Sequence, residues 1–420
     1  MAPIPSSSSS LIPNATTRTT LILFLLHFSL FFHSFLAKSK HTTTHSHSHS
    51  HSHSHSHSTS NTTIHPYHLP TTNPRLHQAY LAFHAWKKVI YSDPTNLTSN
   101  WVGPAVCDYG GIFCAGSLHD PHIQVVASID LNHADIAGFL PDELGLLTDL
   151  AILHLNSNRF CGIIPLTLAN LTLLYELDLS NNRFVGPFPS VVLHIPSLMY
   201  LDLRFNEFEG PVPSELFNRG LDAIFLNNNR LTSMLPSNLG EATSASVIVF
   251  ANNNFGGCLP EGMAKLANSL EEFVLINTNL SGCLPFELGL LYKLKVFDVS
   301  FNHLVGPIPF SLAGLVHVEQ LNVAHNMMDG IIPAGVCALP SLANFTASYN
   351  FFCEEEFPCQ NLTSKGIRFD DRRNCLPERP LQRSKKECDA HQPVECFEYH
   401  CTSGGGAAAK MVNATAAPSP

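Results

Sequence analysis

The chain has 420 residues, 45% of them hydrophobic, and 33 acidic against 23 basic side chains give a formal net charge of −10. That length and apolar content can build a large core. The negative balance argues against a nucleic-acid partner, which needs a basic surface, and without a nucleophile elbow, metal-ligand helix or phosphate loop no enzyme class is indicated.

In chain order, Arg18 precedes an apolar run from Leu21 to Ala37, and Ala37 and Ser39 form a small-x-small cleavage pattern. Residues 1–39 therefore read as a secretory signal peptide, with an apolar run short for a membrane span. Residues 40–72 are a His/Ser/Thr-rich arm in which His alternates with Ser from His45 to His57. Alternate imidazoles of an extended segment point the same way and could chelate a transition metal when neutral. The simpler reading is a disordered hydrophilic spacer, and no metal site or cofactor is assigned.

Asn73-Pro74 reads as the N-cap and first turn of a helix, with Leu76, Tyr80, Phe83, Trp86 and Ile90 toward its apolar side. Together with Cys107 and Cys114 it makes residues 73–124 an expected cap for the element that follows.

Between Val126 and Phe352 the template L-x-x-L-x-L-x-x-N-x-[LFIM]-x-G-x-[ILVF]-P recurs ten times, every 23 to 25 residues. Leu150, Leu153, Leu155, Asn158, Phe160, Gly162, Ile164 and Pro165 fill one copy; Ala134 and Thr278 replace Asn in the first and seventh. Such a period marks a leucine-rich-repeat solenoid, whose units bury their apolar positions only by stacking. The fold class is an α/β solenoid of about ten plant-type 24-residue repeats over 125–352, with a helical N-cap and a cysteine-rich C-terminal cap. In each repeat L-x-L is a short strand, and a stacked column of Asn amides satisfies the turn that follows it.

Twelve cysteines and seven N-glycosylation sequons past the signal, beginning at Asn61, Asn96, Asn170, Asn279, Asn344, Asn361 and Asn413, agree with secretion. Cys107 and Cys114 are expected to pair. So are Cys258 and Cys283, which hold the same slot of consecutive repeats; such positions sit about 5 Å apart, within disulfide reach. Cys161 and a seven-member cluster, Cys337, Cys353, Cys359, Cys375, Cys388, Cys396 and Cys401, remain. Seven is odd, so one cysteine reaches back to Cys161, stays free, or links two chains into a homodimer through the hinge, residues 353–401.

Residues 125–352 hold 20 acidic and 8 basic side chains, a net of −12. The side chains flanking the inward strand leucine face outward, on the side where solenoids commonly bind. One outward column contains Asp130, His154, Asp178, Asp202, Phe225, Val249, Val274 and Asp298; the other contains Glu176, Tyr200, Ala223, Val247, Glu272 and Val296. An acidic patch with Tyr200 thus gives way to an apolar strip expected to lie exposed, and then to Glu272 and Asp298. The arrangement suits a basic peptide with an apolar anchor, for which Asp130, Glu176, Asp178, Tyr200, Asp202, Phe225, Val249, Glu272 and Asp298 are the candidate residues. After the hinge, residues 402–420 read as a flexible tail.

The strings NPRLHQAYLAFHAWKKVIYSDPTNLTSNWVGPAVC, IDLNHADIAGFLPDELGLLTDLAILHLNSNRFCGIIP and DDRRNCLPERPLQRSKKECDAHQPVEC together resemble the plant leucine-rich-repeat extensin family, over about residues 73–401. The resemblance implies a secreted, extracellular cell-wall protein that regulates wall formation, growth and morphogenesis. It also implies binding of small basic cysteine-rich peptides of the rapid-alkalinisation type, with cell-wall polysaccharide or wall proteins as further partners. The family's extensin segment of Ser-(Pro)n and Tyr motifs is not among the residues after Cys401, where APSP stands; either the chain is an extensin-less relative or the sequence is a truncated one. The repeat alone would equally permit a polygalacturonase-inhibitor-like defence protein, against which the long cysteine hinge argues.

Overall fold

The computed structural model describes residues 73–396. The signal peptide, the His-rich arm, the tail, Cys401 and the sequons at Asn61 and Asn413 lie outside the described residues.

A helix at Pro74–Val89 opens the described chain, and the Asn73 side chain caps it by accepting from the Arg75 and Leu76 amides. Its buried face is Ala79, Ala82, Phe83 and Trp86, while Leu76, Tyr80 and Ile90 pack at its margin. Trp86 lies 5.7 Å from Trp101 and 5.8 Å from Phe160, centroid to centroid. Two aromatic rings thus close the first repeats' open end, which stacking alone leaves bare. Cys107 and Cys114 are bonded with Cα atoms 5.5 Å apart.

Among the described residues the main sheet has twelve strands. Ile112–Gly116 pairs antiparallel with Gln124–Asp130, and every later neighbour is parallel, one strand per repeat. The inward column Ile129, Leu153, Leu177, Leu201, Ile224, Ile248, Phe273, Phe297, Leu321 and Phe345 is at most 1% exposed. Parallel pairing continues past the ten templates, since Arg368–Asp370 adds a rung beside Asn344–Thr346. On the adjoining flank short strands form a second edge, parallel except where Ile90–Ser92 pairs antiparallel with Ala137–Gly138, and interrupted near Gly256 and Gly257, whose φ values are +63° and +66°.

The Asn column is the structural spine. Asn158 Nδ2 donates to the carbonyls of Leu131 at 2.7 Å and Leu155 at 3.0 Å, and its Oδ1 accepts from the Ile136 amide at 2.9 Å. The same three-way pattern recurs at Asn182, Asn206 and Asn326. At the seventh repeat the Thr278 hydroxyl, with one hydrogen to give, stands 2.9 Å from the Leu275 carbonyl and 3.0 Å from Asn302 Oδ1, which also accepts from the Thr278 and Leu280 amides at 3.0 Å each. Asn374 continues the column beyond the templates, donating to Ala347 O at 3.0 Å.

The cysteines correct one expected bond. Cys283 is joined to Cys396, Cα to Cα 5.9 Å, and not to Cys258, which is itself disulfide-bonded. Side chains in one slot of stacked repeats project side by side in the same direction, so their proximity does not aim one thiol at the other. The segment His391–Cys396 instead crosses the flank and meets Cys283 head-on. Gly306 makes room: a Cβ there would stand 2.2 Å from Cys396 Sγ. Among the described residues Cys337–Cys359 and Cys375–Cys388 are also bonded, and Cys161 and Cys353 are free thiols. A hinge cysteine does reach back into the repeats, but to Cys283 and not to Cys161.

Replacing Asn302 by Leu should cost about 3 kcal/mol or more, since it strands the Leu275 and Val299 carbonyls and the Thr278 and Leu280 amides in the interior. Thr278→Asn should be tolerated, because the column already holds an amide in that slot elsewhere. Urea unfolding of both variants measures the contrast.

Candidate functional site

Strand register assembles the two outward columns. Asp130, His154, Asp178, Asp202, Phe225, Val249, Val274 and Asp298 are successive partners across the ladder, and so are Ile152, Glu176, Tyr200, Ala223, Val247, Glu272 and Val296. All nine candidate residues therefore occupy one face of one sheet, opposite the core column.

The aspartates of this face have a structural duty that the sequence alone does not reveal. Each stands at the end of its strand and accepts from the amide two residues on: Asp130 from Asn132 at 3.0 Å, Asp178 from Ser180 at 2.9 Å, Asp202 from Arg204 at 3.1 Å, Asp298 from Ser300 at 2.9 Å. This Asx turn starts the chain's exit from the strand. The slot thus favours Asp or Asn for local reasons, and Asn322 fills it by accepting from Ala324. An acidic side chain here caps its own turn and also lends charge to the face.

The acidic end carries a strong field. His154 lies 3.0 Å from Glu176; burial opposes its charged form, but that hydrogen bond and the charges of Asp178, Glu176 and Asp130 prevail and raise it above the ordinary imidazole value. Burial pushes the Asp202 carboxyl up to about 8 although Arg204 sits 2.9 Å away. Tyr200 is held well above the usual phenol range, first by burial and then by Asp202 and Asp178.

The apolar strip is less open than the columns suggest. Ala223, Phe225, Val247, Val249 and Val274 are 1 to 7% exposed, yet none of them belongs to the interior core. Side chains one rung apart stand about 4.8 Å from each other and shield one another. Tyr200 packs 5.6 Å from the Phe225 ring, over which the Arg204 guanidinium lies at 5.0 Å. Arg204 is a residue the column reading missed. Its signal was its place two residues after Asp202, where an Asx turn sends the chain onward. Between Val247 and Val296 stands Glu272, buried, its Oε2 without a hydrogen-bond partner in the structure. Burial, then the charge of Glu271, pushes its carboxyl up to about 7 against the pull of Lys295.

Of the sequons, Asn96, Asn279 and Asn361 are exposed in loops and turns and Asn170 is exposed at the end of a short 3-10 helix, whereas Asn344 begins a ladder strand. No helix among the described residues is long and apolar enough to cross a membrane.

A Leucine Rich Repeat family model matches residues 149–171, 173–194, 197–218 and 293–315. The chain is 58% identical over 341 residues to leucine-rich repeat extensin-like protein 6 of Arabidopsis thaliana, covering 80% of this chain and 72% of the relative. It is 55% identical over 344 residues to leucine-rich repeat extensin-like protein 4 of the same plant, covering 81% and 68%. Protein 2 of that series matches at 54% over 79% of this chain but 42% of its own length. Among solved structures, the Arabidopsis receptor kinase HAESA ectodomain in complex with an IDA peptide hormone superposes with a TM-score of 0.63 at 28% identity, over 77% of this chain and 53% of that one. A TDR receptor superposes at 0.57 and 30%, over 60% and 44%.

Glu272 also sets a pH dependence of stability. In the unfolded chain its carboxyl ionises near the ordinary glutamate value, about 4.3; in the fold it does so at about 7. Between those values the native state holds a proton the unfolded state has lost, so stability is full below the lower value and falls as pH rises through the upper one. Glu272→Gln should flatten that decline and be the more stable protein at pH 8, as read by denaturant midpoints from pH 4 to 8.

Proposed function

The chain belongs to the leucine-rich repeat extensin-like family, and from that premise we propose that it is a secreted plant cell-wall binding protein, not an enzyme. Its ladder face takes up small basic, disulfide-bonded signalling peptides of the alkalinisation type and so regulates wall formation and growth. The observation that carries this reading is the order of side chains on one sheet face. Asp130, Glu176, Asp178, Tyr200 and Asp202 lead directly into Phe225 and Val249, and Glu272 and Asp298 close the strip.

Charge and shape divide the work. The formal net of −12 across residues 125–352, reduced where burial keeps Asp202 and Glu272 protonated, draws a cationic peptide in and raises the encounter rate, while the strip, 1 to 7% exposed, adds a flat apolar contact. Glu272, sunk among valines with one oxygen unmatched, would take a single Lys or Arg side chain. Peptide hormones bound to plant repeat ectodomains of the same architecture support the reading, though those receptors are different proteins. Wall polysaccharide and wall proteins are proposed as further partners, and the exposed Cys353 thiol keeps a hinge-linked homodimer open to a non-reducing gel.

Asparagine can still cap the Asx turn, so Asp130→Asn with Asp178→Asn removes two charges without removing the turns. The double variant should bind a basic alkalinisation peptide roughly 3- to 30-fold more weakly at low salt, mostly through a slower on-rate, and the difference should shrink with added salt. Equal affinity of variant and wild type by calorimetry would sink the proposed surface. Inhibition of a microbial pectinase by the purified protein, with no peptide binding, would favour a defence protein instead.

A further inference from the structure

The ladder face changes character after Asp298. The next two rungs present Gln320 and Asn322, then Asn344 and Thr346, four uncharged polar side chains with neither the acids nor the apolar contacts of the preceding rungs. One of them opens the sequon Asn344-Phe345-Thr346. Phe345 is fully buried, so strand alternation turns Asn344 and Thr346 outward. Asn344 is partly exposed, and Gln320 and Arg368 flank it along the column. The exposed sequons of the described chain at Asn96, Asn170, Asn279 and Asn361 lie off the ladder strands. Asn344 alone among the described sequons stands on this face.

We propose that Asn344 carries an N-linked glycan that stands over the ladder and closes its C-terminal rungs to macromolecules, so that a peptide bound to the acidic and apolar columns ends at the Val296–Asp298 strand. The location of that boundary rests on the function proposed above; the glycan and its shielding do not.

The chemistry precedes folding. The Asn344 amide nitrogen attacks C1 of the first sugar of a lipid diphosphate-linked oligosaccharide. A C–N bond forms, the C–O bond to the diphosphate breaks, and one amide proton leaves with the diphosphate lipid. A secreted chain meets that donor before its repeats stack, so a position that later lies in a strand is no obstacle. The outward column then keeps the glycan out of the core. Two rungs separate Asn344 from the Val296–Asp298 strand, about 10 Å at the spacing of paired strands, so even the first sugars border Asp298. Gln320, Asn322 and Thr346 offer amide and hydroxyl groups that suit sugar hydroxyls better than guanidinium groups.

The test uses the full chain secreted from plant cells, as wild type, Asn344→Gln, and Thr346→Ser, which keeps the sequon. Glycopeptide mass spectrometry reads occupancy at Asn344. A diazirine-bearing oligo-arginine peptide, applied in excess so that it labels by encounter, reads access to the face. The expected result is predominant occupancy in wild type and Thr346→Ser. Labelling of Gln320–Asn322 and Asn344–Thr346 should be at least tenfold lower in those two proteins than in Asn344→Gln, with equal labelling around Asp130 and Asp178 in all three. A mostly unmodified Asn344, or equal labelling of the late rungs with and without the glycan, overturns the proposal. Failure of wild type to bind alkalinisation peptides would remove the proposed function while leaving both of these readouts intact.

Discussion

Everything in this fold depends on one hydrogen-bonding problem solved once per turn. After each ladder strand the chain bends inward and leaves carbonyls and an amide facing a dry interior, where an unmatched polar group costs about 1–3 kcal/mol. A single Asn side chain meets the need: its two N–H groups reach carbonyls in its own repeat and the previous one, and its oxygen takes an amide of the previous repeat, as Asn158 does with Leu155, Leu131 and Ile136. Each bond set spans two repeats, so no repeat is satisfied until its neighbour has stacked. Stability therefore couples along the stack.

The same column fixes the face proposed for binding. With the Asn turns in register, the strands pair in register, and two outward side chains per repeat fall into straight columns. Nothing in the stacking chemistry dictates their identity, apart from the Asx preference at the strand end. That exception matters to any functional argument. Asp178 or Asp298 would be sensible residues even in a protein that bound nothing. What the turn does not require is Glu176 and Tyr200 in the neighbouring column, valines on either side of Glu272, or Arg204 over Phe225. The functional weight rests on these.

How much of this was legible in the sequence follows from what a periodic template encodes. Leucines spaced to a fixed period give the strands, their alternation gives the inward and outward columns, and the observed register matches both. The rung at Arg368–Asp370 was hidden because its repeat, from Leu362 through Ile367 to Asn374, lacks the Gly-x-apolar-Pro signature while keeping the Asn. The partner of Cys283 was hidden for another reason. Repeat arithmetic reports which positions are near each other, whereas a disulfide needs two thiols that face each other; a segment 113 residues away supplied the facing one. Burial of the outward strip was equally beyond a pattern that reports direction but not shielding.

That distant bond bears on how the repeat stack ends. A solenoid's last repeat has no successor to complete it, and the two ends of this chain meet the problem differently. At the start, Trp86 and the capping helix lie across the open core. At the other end Phe369 stacks on Phe345 at 5.2 Å and Arg379 pairs with Glu355 and Asp371, and the chain then turns back along the flank. There His391 stacks on Phe351 at 4.0 Å and meets Asp329 at 3.0 Å before Cys396 bonds Cys283. The closed loop holds the later repeats between its ends. On the chain-entropy model a loop of about 100 residues contributes roughly 4.7 kcal/mol by restricting the unfolded chain, several times the worth of a single stacking hydrogen bond. The terminal repeats, which nearest-neighbour coupling leaves weakest, are thereby tied to the middle of the stack, and fraying from that end must first work against a covalent bond to a repeat that has neighbours on both sides.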